Sequence, residues 1–371
     1  MNYRIPLSPS HFSGQEQKYI DKAFAENMIS SSYGSNITDF ESKICEYINV
    51  KACTALTSGT AAIHLALILL GIKEGDEVIC STFTFSATVN PILYLKATPI
   101  FVDSENVTWN MCPHLLETSI LDRMNKGKKP KAIVLVHLYG MPSKMDEIMM
   151  ISRKYNIPVI EDAAEAIGST YKGLKLGSLG DIGIFSFNGN KIITTSGGGA
   201  LVSNNSAYCD KALFLATQAR DEAPHYQHSQ IGYNYRMTNI SAGIGVGQME
   251  MLNLRVKARR KNFYFYKKEL ATVKEIYFID EPQGFFSNRW LTTLLTDSFE
   301  YREKLRIRLK DNSIESRPLW KPMHLQPVFS DFPNYLNGNS ENFFERGLCL
   351  PSGSNLTQDN MQEIVDLIKS Y

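Results

Sequence analysis

Lys191 stands in an unusual place for a lysine. It lies in "SFNGNKIITTSGGG" (186–199), after the apolar run Ile182 to Phe187 and before Ile192, Ile193 and three glycines. Flanks of this kind strip water from an amine and disfavour its ammonium form. A desolvated amine is a nucleophile toward an aldehyde. An ordinary lysine instead keeps its head in water and covers apolar surface with its stem. The glycine run sets position 191 apart, because glycines allow the backbone to come close to a ligand.

Two other stretches offer complementary chemistry. In "LTSGTAAIHLAL" (56–67), Ser58, Gly59 and Thr60 open a helix, where backbone N–H groups, hydroxyls and the helix dipole suit a phosphate. The same residues also make a plain helix cap. "IPVIEDAAEA" (157–166) ends an apolar strand in Glu161 and Asp162, either as a cap or as a functional anion. Together the three stretches supply what pyridoxal 5'-phosphate needs. A helix start takes the phosphate, a carboxylate keeps the pyridine nitrogen protonated, and a lysine carries the cofactor and moves protons. Lys191 and Asp162 are therefore the expected catalytic residues. His225 and His228 share a helical spacing but have no third ligand near them, so no metal site is expected.

These groups need a scaffold that brings loop ends together. From residue 59 to about 205 the sequence alternates helical stretches (59–70, 86–95, 113–122, 144–155) with apolar strands (77–81, 98–103, 131–137, 157–162, 182–188, 199–204). Strands apolar on nearly every residue, separated by helices, predict an α/β fold with a mainly parallel sheet covered on both faces. Ligands of such sheets sit at the carboxyl ends of the strands. Ser13 followed by Glu16 predicts a capping box and a helix to about residue 26. A long helical stretch over about 239–270 breaks the alternation, and mixed strands and helices follow. The expected division is a large α/β domain over 1–250 and a small α+β domain over 251–371.

The bulk properties narrow the class. The 371 residues are 43% hydrophobic and 21% charged, with 39 basic against 38 acidic side chains. Such balance leaves no footprint for nucleic acid or an anionic membrane. The N-terminus shows no signal-peptide pattern, and the longest apolar stretch is too short to insert in a membrane. Six cysteines without a Cys-x-x-Cys pair read as reduced thiols, so a cytoplasmic location is expected.

"TSGTAAIHLAL", "STFTFSATVNPILYLKATPIFVD", "VIEDAAEAIGS", "GDIGIFSFNGNKIITTSGGGALVS" and "GYNYRMTNISAGIGVGQME" resemble, in this order, the DegT/DnrJ/EryC1/StrS family of nucleotide-sugar aminotransferases. The resemblance implies PLP-dependent transferase fold type I, with a seven-stranded sheet and a smaller C-terminal domain. "NGNKIITTSGGG", "TQARDEAPHYQH", "NRWLTT", "RPLWKPMH" and "YLNGNSENFFERGLCLPSG" are similar to the bacterial branch that aminates C4 of UDP-2-acetamido-4-keto-6-deoxyglucose, in bacillosamine-type pathways.

Carried over by position, the likeness implies that Lys191 bonds the cofactor and then moves protons, and that Asp162 pairs with the pyridine nitrogen. Phe85 would stack on the ring. Ser58, Gly59, Thr60, Ser186 and Asn188 would surround the cofactor, and Asn234 would reach the phosphate of the neighbouring subunit in a homodimer with shared sites. Glu165 replaces the glutamine usual in the wider family beside the ring hydroxyl, where a carboxylate must be protonated or compensated. A lysine at 191 implies transamination, since the family's deoxygenating members carry histidine there. Arg236, Arg317 and His324 are nominated for the substrate's diphosphate, guanidinium forks matching phosphate oxygens. Trp320 is nominated for the sugar. The implied reaction moves an amino group from L-glutamate to the C4 ketone of a UDP-linked 4-keto-6-deoxy amino sugar. The alternatives are a GDP-4-keto-6-deoxymannose acceptor or a non-catalytic regulator on the same fold.

Overall fold

A computed structural model describes residues 3–30 and 34–370. The apolar strands assemble into one sheet in the order 52–56, 199–203, 182–186, 159–162, 132–136, 77–81, 98–102 and 334–335. Neighbours from 182–186 to 334–335 run parallel, while 199–203 lies antiparallel to both strands it joins. Alternate residues feed two cores. Ile133, Leu135 and Val159 enter one, and Ala132, Val134 and Ile160 the other. Burial on both faces is why these strands read as continuous apolar runs.

The sheet has eight strands where seven are expected. The eighth is only Asn334–Tyr335, paired with Phe101 and Val102, and is too short and polar to announce itself in the sequence. The stretch predicted as one helix over 86–95 is a 3₁₀ turn, Ser86–Thr88, then a helix, Asn90–Tyr94, that opens around Pro91. The long helix expected over 239–270 is two, Asn239–Met249 and Leu252–Glu269. Glu250 and Met251 between them are neither glycine nor proline, so packing sets the break. The first helix lies on helices Glu16–Ala25 and Ser35–Ile48, and the second on strand Thr292–Thr296 and helix Gln358–Lys369. Only half of the predicted capping box forms: the helix starts at Glu16, whose carboxylate accepts the Ser13 N–H at 2.7 Å, while Ser13 Oγ accepts the Gln15 N–H at 2.9 Å.

A second, antiparallel sheet runs 276–278, 292–296, 347–350, 317–318 over a core of Leu294, Leu348, Ile364 and Val365. It lies wholly on the C-terminal side of residue 250. Two crossings complicate a division there. Strand 334–335 joins the large sheet, and the N-terminal segment returns to the later residues through an Ile5–Ile314 bridge and the Ser352 N–H bonded to the Leu7 carbonyl at 2.8 Å. Among the described residues no helix is long and apolar enough to cross a membrane.

One buried carboxylate organises the loop that feeds the central strand. Glu161 is fully buried and accepts N–H groups from Gly177 (2.8 Å), Leu179 (2.6 Å) and Gly180 (2.5 Å). His137 completes the set at 2.9 Å. Because His137 Nδ1 accepts the Ser143 N–H, its Nε2 carries the proton donated to Glu161. Glu161→Ala would leave these donors unpaired in a dry interior. The expected cost is about 3 kcal/mol, read as a lower chemical-denaturation midpoint at unchanged slope.

Candidate active site

At the carboxyl ends of the parallel strands lies a cavity of about 400 Å³. Asp162 sits in its wall, 5% exposed, where Thr88 Oγ1 donates to one carboxylate oxygen at 2.7 Å and the Ala164 N–H to the other at 3.1 Å. Burial raises its pKa above the ordinary aspartate value, an effect these two hydrogen bonds only partly offset. Among the described residues no cation forms an ion pair with Asp162, the arrangement expected of a carboxylate that awaits a positively charged ligand.

Lys191 faces the same cavity. A tight turn, Lys191 N–H to the Asn188 carbonyl at 3.0 Å, lifts it off the end of strand Ile182–Ser186. Buried Ile192 and Ile193 anchor the chain beyond it. Its side chain is 14% exposed, with Nζ 3.7 Å from the Glu165 carboxylate and 4.1 Å above the Trp290 ring. Glu165 is buried, its pKa raised chiefly by that burial, and it accepts the Tyr139 N–H at 2.7 Å. The glycines after Lys191 have separate reasons. A Cβ on Gly199 would meet the Gly59 nitrogen at 2.4 Å, so strand 199–203 can cross the helix start only as glycine. Gly197 has open space and lines the cavity.

The third element also converges here. Ser58, Gly59 and Thr60 line the cavity at the start of helix Gly59–Leu69, beside Ser186 and Asn188. Ser58 Oγ caps the helix by accepting the Ala61 N–H at 3.0 Å, as the capping reading expects. Phe85 is 52% exposed, unusual for phenylalanine, and its ring faces the cavity wall next to Trp320, 5.2 Å between centroids.

The remaining nominated residues lie elsewhere. Asn234 is exposed and outside the cavity lining. Arg236 makes a forked pair with Glu41, Arg317 pairs with Glu315 on the surface, and His324 is buried between Thr82 Oγ1 (2.7 Å) and Glu341 (3.1 Å). Of the four substrate nominations only Trp320 lines the cavity of this chain. Thr88 and Trp290 were not singled out from the sequence, although both touch the central pair. "NRWLTT" held Trp290 but carried no sign of which loop it would cover.

The donor set fits pyridoxal phosphate. A helix start and hydroxyls lie at one end, an unpaired buried carboxylate in the wall, and a lysine and an exposed aromatic face lie beside them. The model of the DegT/DnrJ/EryC1/StrS aminotransferase family matches residues 11–369. The chain is 51% identical to EpsN of Bacillus subtilis (strain 168) over 372 residues, 99% of this chain and 96% of that protein. It is 40% identical to the GDP-perosamine synthase of Escherichia coli O157:H7, covering 99% of this chain and 98% of that one. The structure of Spr1654 from Streptococcus pneumoniae in its PLP form superposes with a TM-score of 0.91 at 25% identity, covering 99% and 98% of the two chains.

The raised pKa of Asp162 has a direct consequence for stability. The cofactor-free folded protein holds the Asp162 proton more tightly than the unfolded chain does. Stability therefore falls as pH rises from the ordinary aspartate value of 3.8 through the higher folded value. Asp162→Asn carries no charge and keeps two hydrogen-bond partners, so it is expected to raise the thermal midpoint of cofactor-free protein at neutral pH. The gain should shrink on acidification. With cofactor the order should reverse, and turnover should drop about a hundredfold. A cofactor-free variant no more stable than wild type at neutral pH would contradict this.

Proposed function

The chain belongs to the DegT/DnrJ/EryC1/StrS aminotransferase family of pyridoxal-phosphate-dependent nucleotide-sugar transaminases, and we propose that its acceptor is UDP-2-acetamido-4-keto-2,6-dideoxyglucose. L-Glutamate gives the amino group, and the product carries a C4 amine in the gluco configuration, in the cytoplasm, for bacterial glycan or glycoprotein synthesis. The observation that carries an amino transfer is the convergence of Lys191, Asp162 and the helix start of Gly59 on one cavity.

Bound there, pyridoxal phosphate supplies a carbonyl to receive the amino group and a ring that stores an electron pair. The protein's own groups do the rest. Asp162 would keep a proton on the ring nitrogen, the N–H groups of Gly59 and Thr60 with Ser186 would hold the phosphate, and Phe85 would lie against the ring. Lys191 Nζ takes a proton from the donor's α-carbon and returns one at the sugar's C4, a general acid–base role for which its place between Glu165 and Trp290 suits it. Glu165, whose pKa is raised chiefly by burial, would sit beside the ring oxygen with Lys191 3.7 Å away to compensate its charge.

Similarity of "RPLWKPMH" and "YLNGNSENFF" to the UDP branch supports the acceptor. The 40% identity to a GDP-perosamine synthase favours a second reading, a GDP-4-keto-6-deoxymannose acceptor. A site that hydrogen-bonds uracil leaves polar groups unpaired with guanine, and such mismatches reach about 10⁴-fold. Assaying both ketosugars with L-glutamate, with NMR of the products, is expected to give the larger kcat/KM for the UDP substrate. An equal or larger value for the GDP substrate would install the second reading.

A homodimer with shared sites would give a role to Asn234, which is exposed and does not line the cavity of its own chain. Mixing inactive Lys191→Ala and Asn234→Asp subunits should restore activity, because one site of each mixed dimer then carries neither change. No recovery despite proven subunit exchange would assign each site to a single chain.

A further inference from the structure

Arg259, on helix Leu252–Glu269, is 1% exposed, and among the described residues no carboxylate forms an ion pair with it. Taking a guanidinium out of water without an anion costs several kcal/mol. Its pKa is accordingly pulled down to about 9, by burial first and then by Arg255. A methionine would fill similar space without that cost, so the charge or its fork has a use.

The fork points at the back of the Lys191 turn. Nη1 donates to the Trp290 carbonyl, and Nη2 to Ser8 Oγ at 2.9 Å and to the Lys191 carbonyl at 3.5 Å. Ser8 Oγ in turn donates to the Asn190 carbonyl at 2.6 Å, where the Trp290 indole N–H also arrives at 2.8 Å. Ser10 Oγ holds the Gly189 carbonyl at 2.8 Å, and the Lys191 N–H itself holds that of Asn188. Each carbonyl from 188 to 191 thus has a donor. The same splint fixes the Trp290 ring beneath Nζ. Asn288 accepts the Trp290 N–H at 2.8 Å and ties it to the Glu165 and Ile167 carbonyls, both at 2.9 Å.

We propose that Arg259 is a positioning residue for Lys191: through Ser8 and Trp290 it sets the lysine's main chain and the aromatic surface on which the amine rests. The proposal rests on Lys191 being the reacting amine. Lys191 moves protons between two substrates, so its amine must return to one place in both halves of the reaction. Loss of about 1 Å in such placement can cost a hundredfold in rate. Arg255, His11 and Glu16 are the titratable groups near Arg259 away from the lysine, and Glu165 and Asp162 those on the lysine side.

Arg259→Met, Arg259→Lys and Ser8→Ala in the cofactor-loaded enzyme test it. Arg259→Met should lower kcat by about ten- to a hundredfold, with KM for both substrates within about threefold. It should also move the pH midpoint of the bound cofactor's visible absorbance upward, because a cation behind the amine is gone. Arg259→Lys should keep the midpoint and recover part of kcat. A merely structural arginine would instead lower thermal stability and cofactor occupancy. The loaded fraction would then keep wild-type kcat and midpoint, which overturns the proposal. Should Arg259→Met not fold, Ser8→Ala decides. It removes one arm of the splint near the N-terminus, and a reduced kcat at unchanged KM supports the proposal while wild-type kcat overturns it.

Discussion

The strand Val159–Asp162 ends in two carboxylates, and the pleat sends consecutive side chains to opposite faces. Everything around the site follows from how differently the two are treated. Glu161 meets three backbone N–H groups and His137, so its acceptor capacity is met within the fold. Asp162, one residue on, meets a hydroxyl and a single N–H. The first carboxylate therefore secures the loop that enters strand Ile182–Ser186, and the second keeps an unmet demand for positive charge, facing the cavity.

Lys191 stands at the end of that neighbouring strand, whose register places Asp162 opposite Ile184. Its amine is held by Glu165 and the Trp290 face, not by Asp162. Keeping the two apart matters, since a direct lysine–aspartate pair would satisfy both and leave neither for a cofactor. Tyr139 contributes from below. It adopts a left-handed backbone (φ 52°), gives its N–H to Glu165, and stacks between Trp290 and Trp320 at 6.2 and 6.1 Å. Strained backbone of this kind persists where surroundings over-determine it. Here those surroundings are the two indoles and a buried carboxylate.

Much of this was legible in the chain. Doubly buried strands betray themselves as unbroken apolar runs, and their ends then name the loops where Asp162, Lys191 and Gly59 meet. The substrate nominations show where residue type stops being informative. Arg236 and Arg317 offer guanidinium forks, but a sequence does not say that Glu41 and Glu315 occupy them. Trp290 and Arg259 lie far along the chain from Lys191, and only the folded path brings them beneath it. A glycine run suggests ligand approach, whereas Gly199 is required by contact with the Gly59 backbone. The eighth strand escaped because two residues carry no periodicity.

Asp162 is proposed to supply the negative charge that keeps a bound pyridine nitrogen protonated. Nitrogen-15 NMR of the protein loaded with cofactor labelled at that nitrogen measures this directly. The expected result is a chemical shift in the protonated range from mildly acidic to mildly basic pH, lost in Asp162→Asn. A wild-type nitrogen in the unprotonated range across that interval would contradict it.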